Sequence, residues 1–99
     1  MRYQISKIKS YVGFAIRSRE IKYGIDDIMA AKGSKLILIS KSLAESSYNK
    51  LGMFAKNNNI SLILLESDEF AELVQSENIK AIAILNKGLA DAIKKNLAN

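Results

Sequence analysis

The sequence predicts an α/β protein: a three-layer α/β/α sandwich built on a mixed, mostly parallel four-stranded sheet. Three observations predict it. Helical and strand periodicities alternate along the chain. The apolar runs at 36–39 and 62–65 are short and rich in Leu and Ile, as strands buried on both faces require. Single segments of helical spacing separate the strands, which implies crossover connections and a sheet covered on both sides. The 99 residues suit one domain, 1–99, and contain no internal repeat, low-complexity tract or linker.

Each element has its own signal. In 4–17 the apolar positions Ile5, Ile8, Val12, Ala15 and Ile16 fall at helical spacing. A short β-prone piece at 20–23 ends at Gly24. Residues 26–31 predict a brief helix with Asp26 and Asp27 in its first turn and Gly33 as its stop. Residues 35–40 predict a buried strand. Ser42 and Glu45 form a capping-box pattern that opens the next helix, with Ala44, Tyr48, Leu51 and Ala55 on one face. Asn57, Asn58 and Asn59 form the loop that ends it.

The second half repeats the pattern. Residues 60–65 predict another buried strand. Ser67 is placed to cap a helix with Asp68 and Glu69 in its first turn and Phe70, Leu73 and Val74 facing inward. A further apolar strand covers 81–85. Lys87 and Gly88 then lead into a last helix through Leu89, Ala90, Ile93 and Leu97, with Lys94 and Lys95 near its C-terminus. Phe14, Phe54 and Phe70 read as core, as does Tyr48.

Composition removes several function classes. The chain has no Cys, His, Trp or Pro. Disulfides, the usual zinc sites and catalysis by imidazole or thiolate are therefore excluded. No apolar segment follows the charged start, and no run approaches a membrane span, so a soluble, cytoplasmic protein is expected. Neither a cofactor nor a metal is expected.

The net charge of +5 is unevenly placed. Residues 1–35 carry eight basic and three acidic side chains, whereas 60–79 carry five acids and no base. A basic N-terminal third fits a phosphate-bearing partner. The plainer reading is a solvated surface with excess Lys.

Several segments together resemble a known family. Residues 12–24, VGFAIRSREIKYG, are similar to the opening "LGLAxRAxKxxxG" of the YlxQ proteins. These are bacterial members of the L-seven-Ae / L-thirty-e superfamily of kink-turn-binding ribosomal proteins. Residues 35–40 with the helix at 42–51 are similar to "KLVLLAxDASxNTxKKL", and 81–90, AIAILNKGLA, to "VVAVTDxGFA". The resemblance spans nearly the whole chain. It implies the L-thirty-e-like sandwich and RNA binding through a "GxNExxK" stretch entering the second helix, with a second contact from the loop before the last strand. These fall on 24–30, GIDDIMA, and on Ser76, Glu77, Asn78 and Ile79. Gly24 matches; Asp26 stands in place of Asn, Asp27 in place of Glu, and Ala30 in place of Lys. An Asn amide donates as well as accepts, whereas an ionised Asp only accepts and repels phosphates.

The site residues have more than one reading. Gly24 supplies either a close approach for an RNA backbone or simply a positive-φ turn. Asp26 and Asp27 either read base edges or complement the helix dipole. A catalytic carboxylate pair is a third reading, without a nucleophile or phosphate-loop signature to support it. Arg17, Arg19, Lys22, Lys32 and Lys35 form an electrostatic footprint if they share one sheet edge; otherwise they belong to solvated faces. Tyr23, between Lys22 and Gly24, is the aromatic placed to stack on a base; Tyr11 and Tyr48 are the other candidates. The acids at 66–77 make a soluble helix face, or they meet a basic partner or keep RNA at the opposite edge.

The leading expectation is a non-catalytic RNA-binding protein. Its partner would be a structured RNA, ribosomal or kink-turn-like, in a ribosome or ribonucleoprotein setting, with neither DNA nor a membrane as partner. Backbone amides and Arg/Lys would position phosphates, while Asp27 and Asn78 contact bases. The alternative, favoured by Asp26 and Ala30, is a protein-interaction or oligomerisation module of the same fold.

Overall fold

A computed structural model describes residues 5–76 and 78–97. Its elements run α1 (Ile5–Arg17), β1 (Ile21–Tyr23), α2 (Ile25–Ala30), β2 (Leu36–Ser40), α3 (Glu45–Asn57), β3 (Ser61–Leu65), α4 (Ser67–Val74), β4 (Ala81–Ile84) and α5 (Lys87–Leu97). The four strands form one mixed sheet in the order β1-β4-β2-β3.

Strand alternation explains the three layers. In β2, Leu36 and Leu38 point into a core shared with α1, α4 and α5, while Ile37 and Ile39 point into a second core under α3. β4 does the same, with Ile82 and Ile84 on the first face and Ala81 and Ala83 on the second. Both central strands are buried throughout.

The sheet is less parallel than the helix-strand alternation predicts. β2 pairs parallel with β3, but β4 is antiparallel to both β1 and β2. The reason lies after α4. Gln75 takes a left-handed conformation (φ 55°), and its N–H donates to Ala71 C=O at 2.7 Å. The chain then re-enters the sheet beside the end at which β3 finished, since Ser40 N–H donates to Lys80 C=O at 2.9 Å and Lys41 N–H to Leu65 C=O at 2.9 Å. β1, β2 and β3 therefore run one way, and β4 is inserted between β1 and β2 in reverse.

Several local expectations are corrected. Ser42 does not cap α3, which starts at Glu45 with Ala44 at its N-cap. The Ser42 hydroxyl instead bonds Ser40 Oγ at 2.7 Å, and Leu43 N–H donates to Ser40 C=O at 3.0 Å, holding a turn. Ser67 begins α4 without capping it, and Glu66 holds the N-cap position. α2 spans Ile25–Ala30 and ends at Ala31, whose N–H donates to Asp27 C=O at 3.0 Å, so Gly33 lies in the loop beyond. Phe14 is 59 % exposed because Ile8, Val12 and Ala15 already occupy the inward face of α1. Tyr48, read as core, is exposed on a flank of α3, and Ile16 is exposed as well. β3 is not fully buried, because it is the sheet edge.

Candidate nucleic-acid interface

The β1–β4 pairing places two segments of the predicted site side by side. Tyr23 lies opposite Ile82, and Gly24 N–H donates to Ala81 C=O at 3.0 Å. Gly24 has φ +80°, a conformation that side-chain-bearing residues rarely adopt, and it turns the strand directly into α2. Between the two segments lies a groove of about 380 Å³, lined by Tyr23, Gly24, Ile25, Leu43 and residues 78–81. It adjoins a second depression lined by Ser40, Ser42, Ser67, Asp68 and Ser76 and sharing residues 78–80. Asn78 N–H donates to Ser76 Oγ at 3.2 Å, which braces the loop backbone. Glu77 lies outside the described residues.

Chemically, this groove offers an aromatic ring, an apolar floor from Ile25, Leu43 and Ile79, an amide from Asn78 and an ammonium from Lys80. Such a set suits a flat ring with hydrogen-bonding edges joined to a negative group. Among the described residues Lys80 has no ion-pair partner, whereas Lys41, on the same end of the sheet, is bound to Glu66. The Ser40 and Ser42 hydroxyls bond each other at 2.7 Å. No cluster of three or more metal-ligating side chains occurs among the described residues, and no described helix is long and apolar enough to cross a membrane.

Not every predicted residue joins this groove. Asp26 and Asp27 are exposed in the first turn of α2, beside the groove but not in its lining. Lys22 is exposed midway along β1. Arg19 is five residues before Gly24, about 16 Å along an extended chain. Lys35 N–H donates to Ile84 C=O at 2.8 Å, which puts Lys35 at the same far end of the sheet as Arg19. Lys32, between the end of α2 and the start of β2, belongs there too. Arg17 ends α1 at that side, its guanidinium 5.3 Å from the centre of the Phe14 ring. The five cations therefore do not surround Gly24; they run from the far end of the sheet along β1 toward it.

The charges follow helix polarity. α2, α3 and α4 all begin at the groove end and carry acids there: Asp26 and Asp27, Glu45, and Asp68 and Glu69. Arg17 and Lys56 close α1 and α3 at the far end. Lys87 is engaged elsewhere. Its hydrogen bond to Asp91 at 3.0 Å, aided by its charge and that of Lys94, holds the Asp91 carboxyl below its usual range.

Sequence reasoning missed Leu43, Lys80 and Asn86. Lys80 lies just before the strand expected at 81–85 and no motif marks it; the reversed direction of β4 brings it beside Gly24. Asn86 caps α5, accepting from Leu89 N–H at 2.9 Å, and its amide donates to the Glu20 carboxylate at 3.1 and 3.2 Å. The signal was present, since Asn is a preferred N-cap residue.

No protein-family profile and no curated protein matches the chain. Solved structures do share its fold. A protein of unknown function from Bacillus halodurans superposes with a TM-score of 0.83 at 15 % identity, covering 94 % of this chain and 98 % of that one. A Giardia lamblia 15.5 kD RNA-binding protein superposes with a TM-score of 0.73 at 14 % identity, covering 99 % and 92 %. The α/β/α sandwich with a mixed four-stranded sheet is thus a fold found in both.

Proposed function

We propose that this protein binds structured RNA, without catalysis, along the β1 edge and the groove at its end. The carrying observation is that β1 and β4 bring Gly24 and Ile25 against Asn78 and Ile79, which belong to the two segments to which the family resemblance assigns RNA contacts, with Tyr23 and Lys80 flanking them. The shared fold of the Giardia RNA-binding protein supports the same reading.

In this reading an unstacked base enters the groove, lies against Tyr23 and meets the Asn78 amide. Gly24 lets the RNA approach the backbone closely. Asp27 accepts from guanine imino and amino groups, and Asp26 keeps phosphates away from α2. Lys80, Lys22 and Arg19 take successive phosphates along β1, while Arg17, Lys32 and Lys35 contact a longer RNA at the far end. The RNA is ribosomal or kink-turn-like in class, and the setting is a ribosome or another ribonucleoprotein. The alternative role, a protein-interaction or oligomerisation module, is favoured by a different surface, the α3–β3 flank.

The test is binding to structured ribosomal RNA fragments across a salt series. Affinity should fall steeply with salt. An Arg19→Ala, Lys22→Ala double variant should flatten the log–log slope by about two. Absence of binding at low salt, or an unchanged slope in the double variant, overturns the proposal.

A further inference from the structure

The two edges of the sheet are unlike. β1 has three residues and ends in the Gly24 turn. β3 has five, Ser61–Leu65, and among the described residues pairs only with β2, leaving alternate backbone groups facing outward. It has no charge and no proline, so neither of these devices blocks a further strand.

The helix above this edge continues the exposed surface. Tyr48 of α3 and Leu64 of β3, 39 % and 37 % exposed, line one cleft, so this flank of α3 faces the free edge. Tyr48, Asn49, Gly52, Met53 and Lys56 line the next depression along the helix, with Met53 67 % exposed. Gly52 is the anomaly. A helix-interior glycine costs roughly 1 kcal/mol relative to alanine. A Cβ at Gly52 would meet nothing within 4 Å, so no contact among the described residues accounts for it.

We propose that a second copy of this chain covers the flank, through an antiparallel, twofold pairing of β3 with β3 and α3 with α3. The sequence of the stripe is self-complementary under that operation. Reversal about the middle of α3 sets Glu45 against Lys56, Tyr48 against Met53, and Asn49 against Gly52. The outer pairs are opposite charges, the next are an aromatic ring with a thioether, and the central pair allows close helix approach. The same reversal sets Ser61 against Leu65 and Leu62 against Leu64 in β3. It also brings the acidic end of one copy, with Glu66 and Asp68, beside the Lys56 end of the other. A different protein strand would have no reason to match this internal symmetry.

Sedimentation or light scattering across a concentration series reads the outcome. The wild-type chain should reach about twice its 11.0 kDa. Gly52→Lys should weaken self-association by about tenfold or more. Its monomer should be at least as heat-stable as wild type, because lysine is the better helix former. Glu45→Lys and Lys56→Glu should each weaken the dimer, and the two together should restore it. A chain that stays monomeric at high concentration overturns the proposal. So does a dimer indifferent to Gly52→Lys, or charge reversals that fail to rescue each other.

Discussion

Asn86 shows how one side chain ties distant parts of the chain together. Its carbonyl oxygen caps the N-terminus of α5, and its amide reaches the Glu20 carboxylate just before β1. Leu85 N–H donates to Glu20 C=O at 2.9 Å, so the same corner is fastened twice. Asn86→Ala should remove the cap and leave Glu20 without its amide donor. The expected loss is about 1–2 kcal/mol in chemical denaturation, while Asn86→Asp should keep the cap but place two carboxylates together. Gly24 is the matching residue at the other end of β1. No neighbour would meet a Cβ there, so its backbone conformation alone excludes other side chains.

Among the elements, the central strands carry stability, and the proposed binding surfaces lie at the edges. Ile82 of β4 is fully buried, whereas Leu64 of β3 is partly exposed. Ile82→Ala should therefore cost about 2–5 kcal/mol of unfolding free energy. Leu64→Ala should cost clearly less in the monomer, as thermal melts at low protein concentration would show. The contrast also explains what was legible in the sequence. Leu36, Ile37, Leu38 and Ile39 announce a strand buried on both faces, and they are one. The Ile and Leu residues of β3 look the same in sequence, but strand order decides which run becomes the edge. That order depends on the reversal at Gln75, a single left-handed residue without a glycine to mark it. Phe14 and Tyr48 look like core by residue type, yet the inward helix faces were already filled by Val12 and Ala15 in α1 and by Leu51 and Ala55 in α3.

On the scale of the whole molecule, strand direction sorts the charges. Three helices begin at the groove end with acids in their first turns, and two helices close at the far end with Arg17 and Lys56. Dipole complementation accounts for much of this polarity without any partner. The N-terminal excess of basic residues was visible in the sequence, but not that Lys32 and Lys35 return to the Arg19 end of β1, away from Gly24. Under the proposed role, RNA at the groove would present a base there and its phosphates along β1. β3 is the edge of the sheet opposite β1, so the proposed RNA contact and the proposed self-association would use separate surfaces. The most direct measurement of the central claim is a backbone-amide NMR titration with a structured ribosomal RNA fragment. The account predicts the largest shifts at Lys22, Tyr23, Gly24, Asn78, Ile79 and Lys80, with β3 and α3 unmoved. Shifts confined to α3 and β3, or none at low salt, would contradict it.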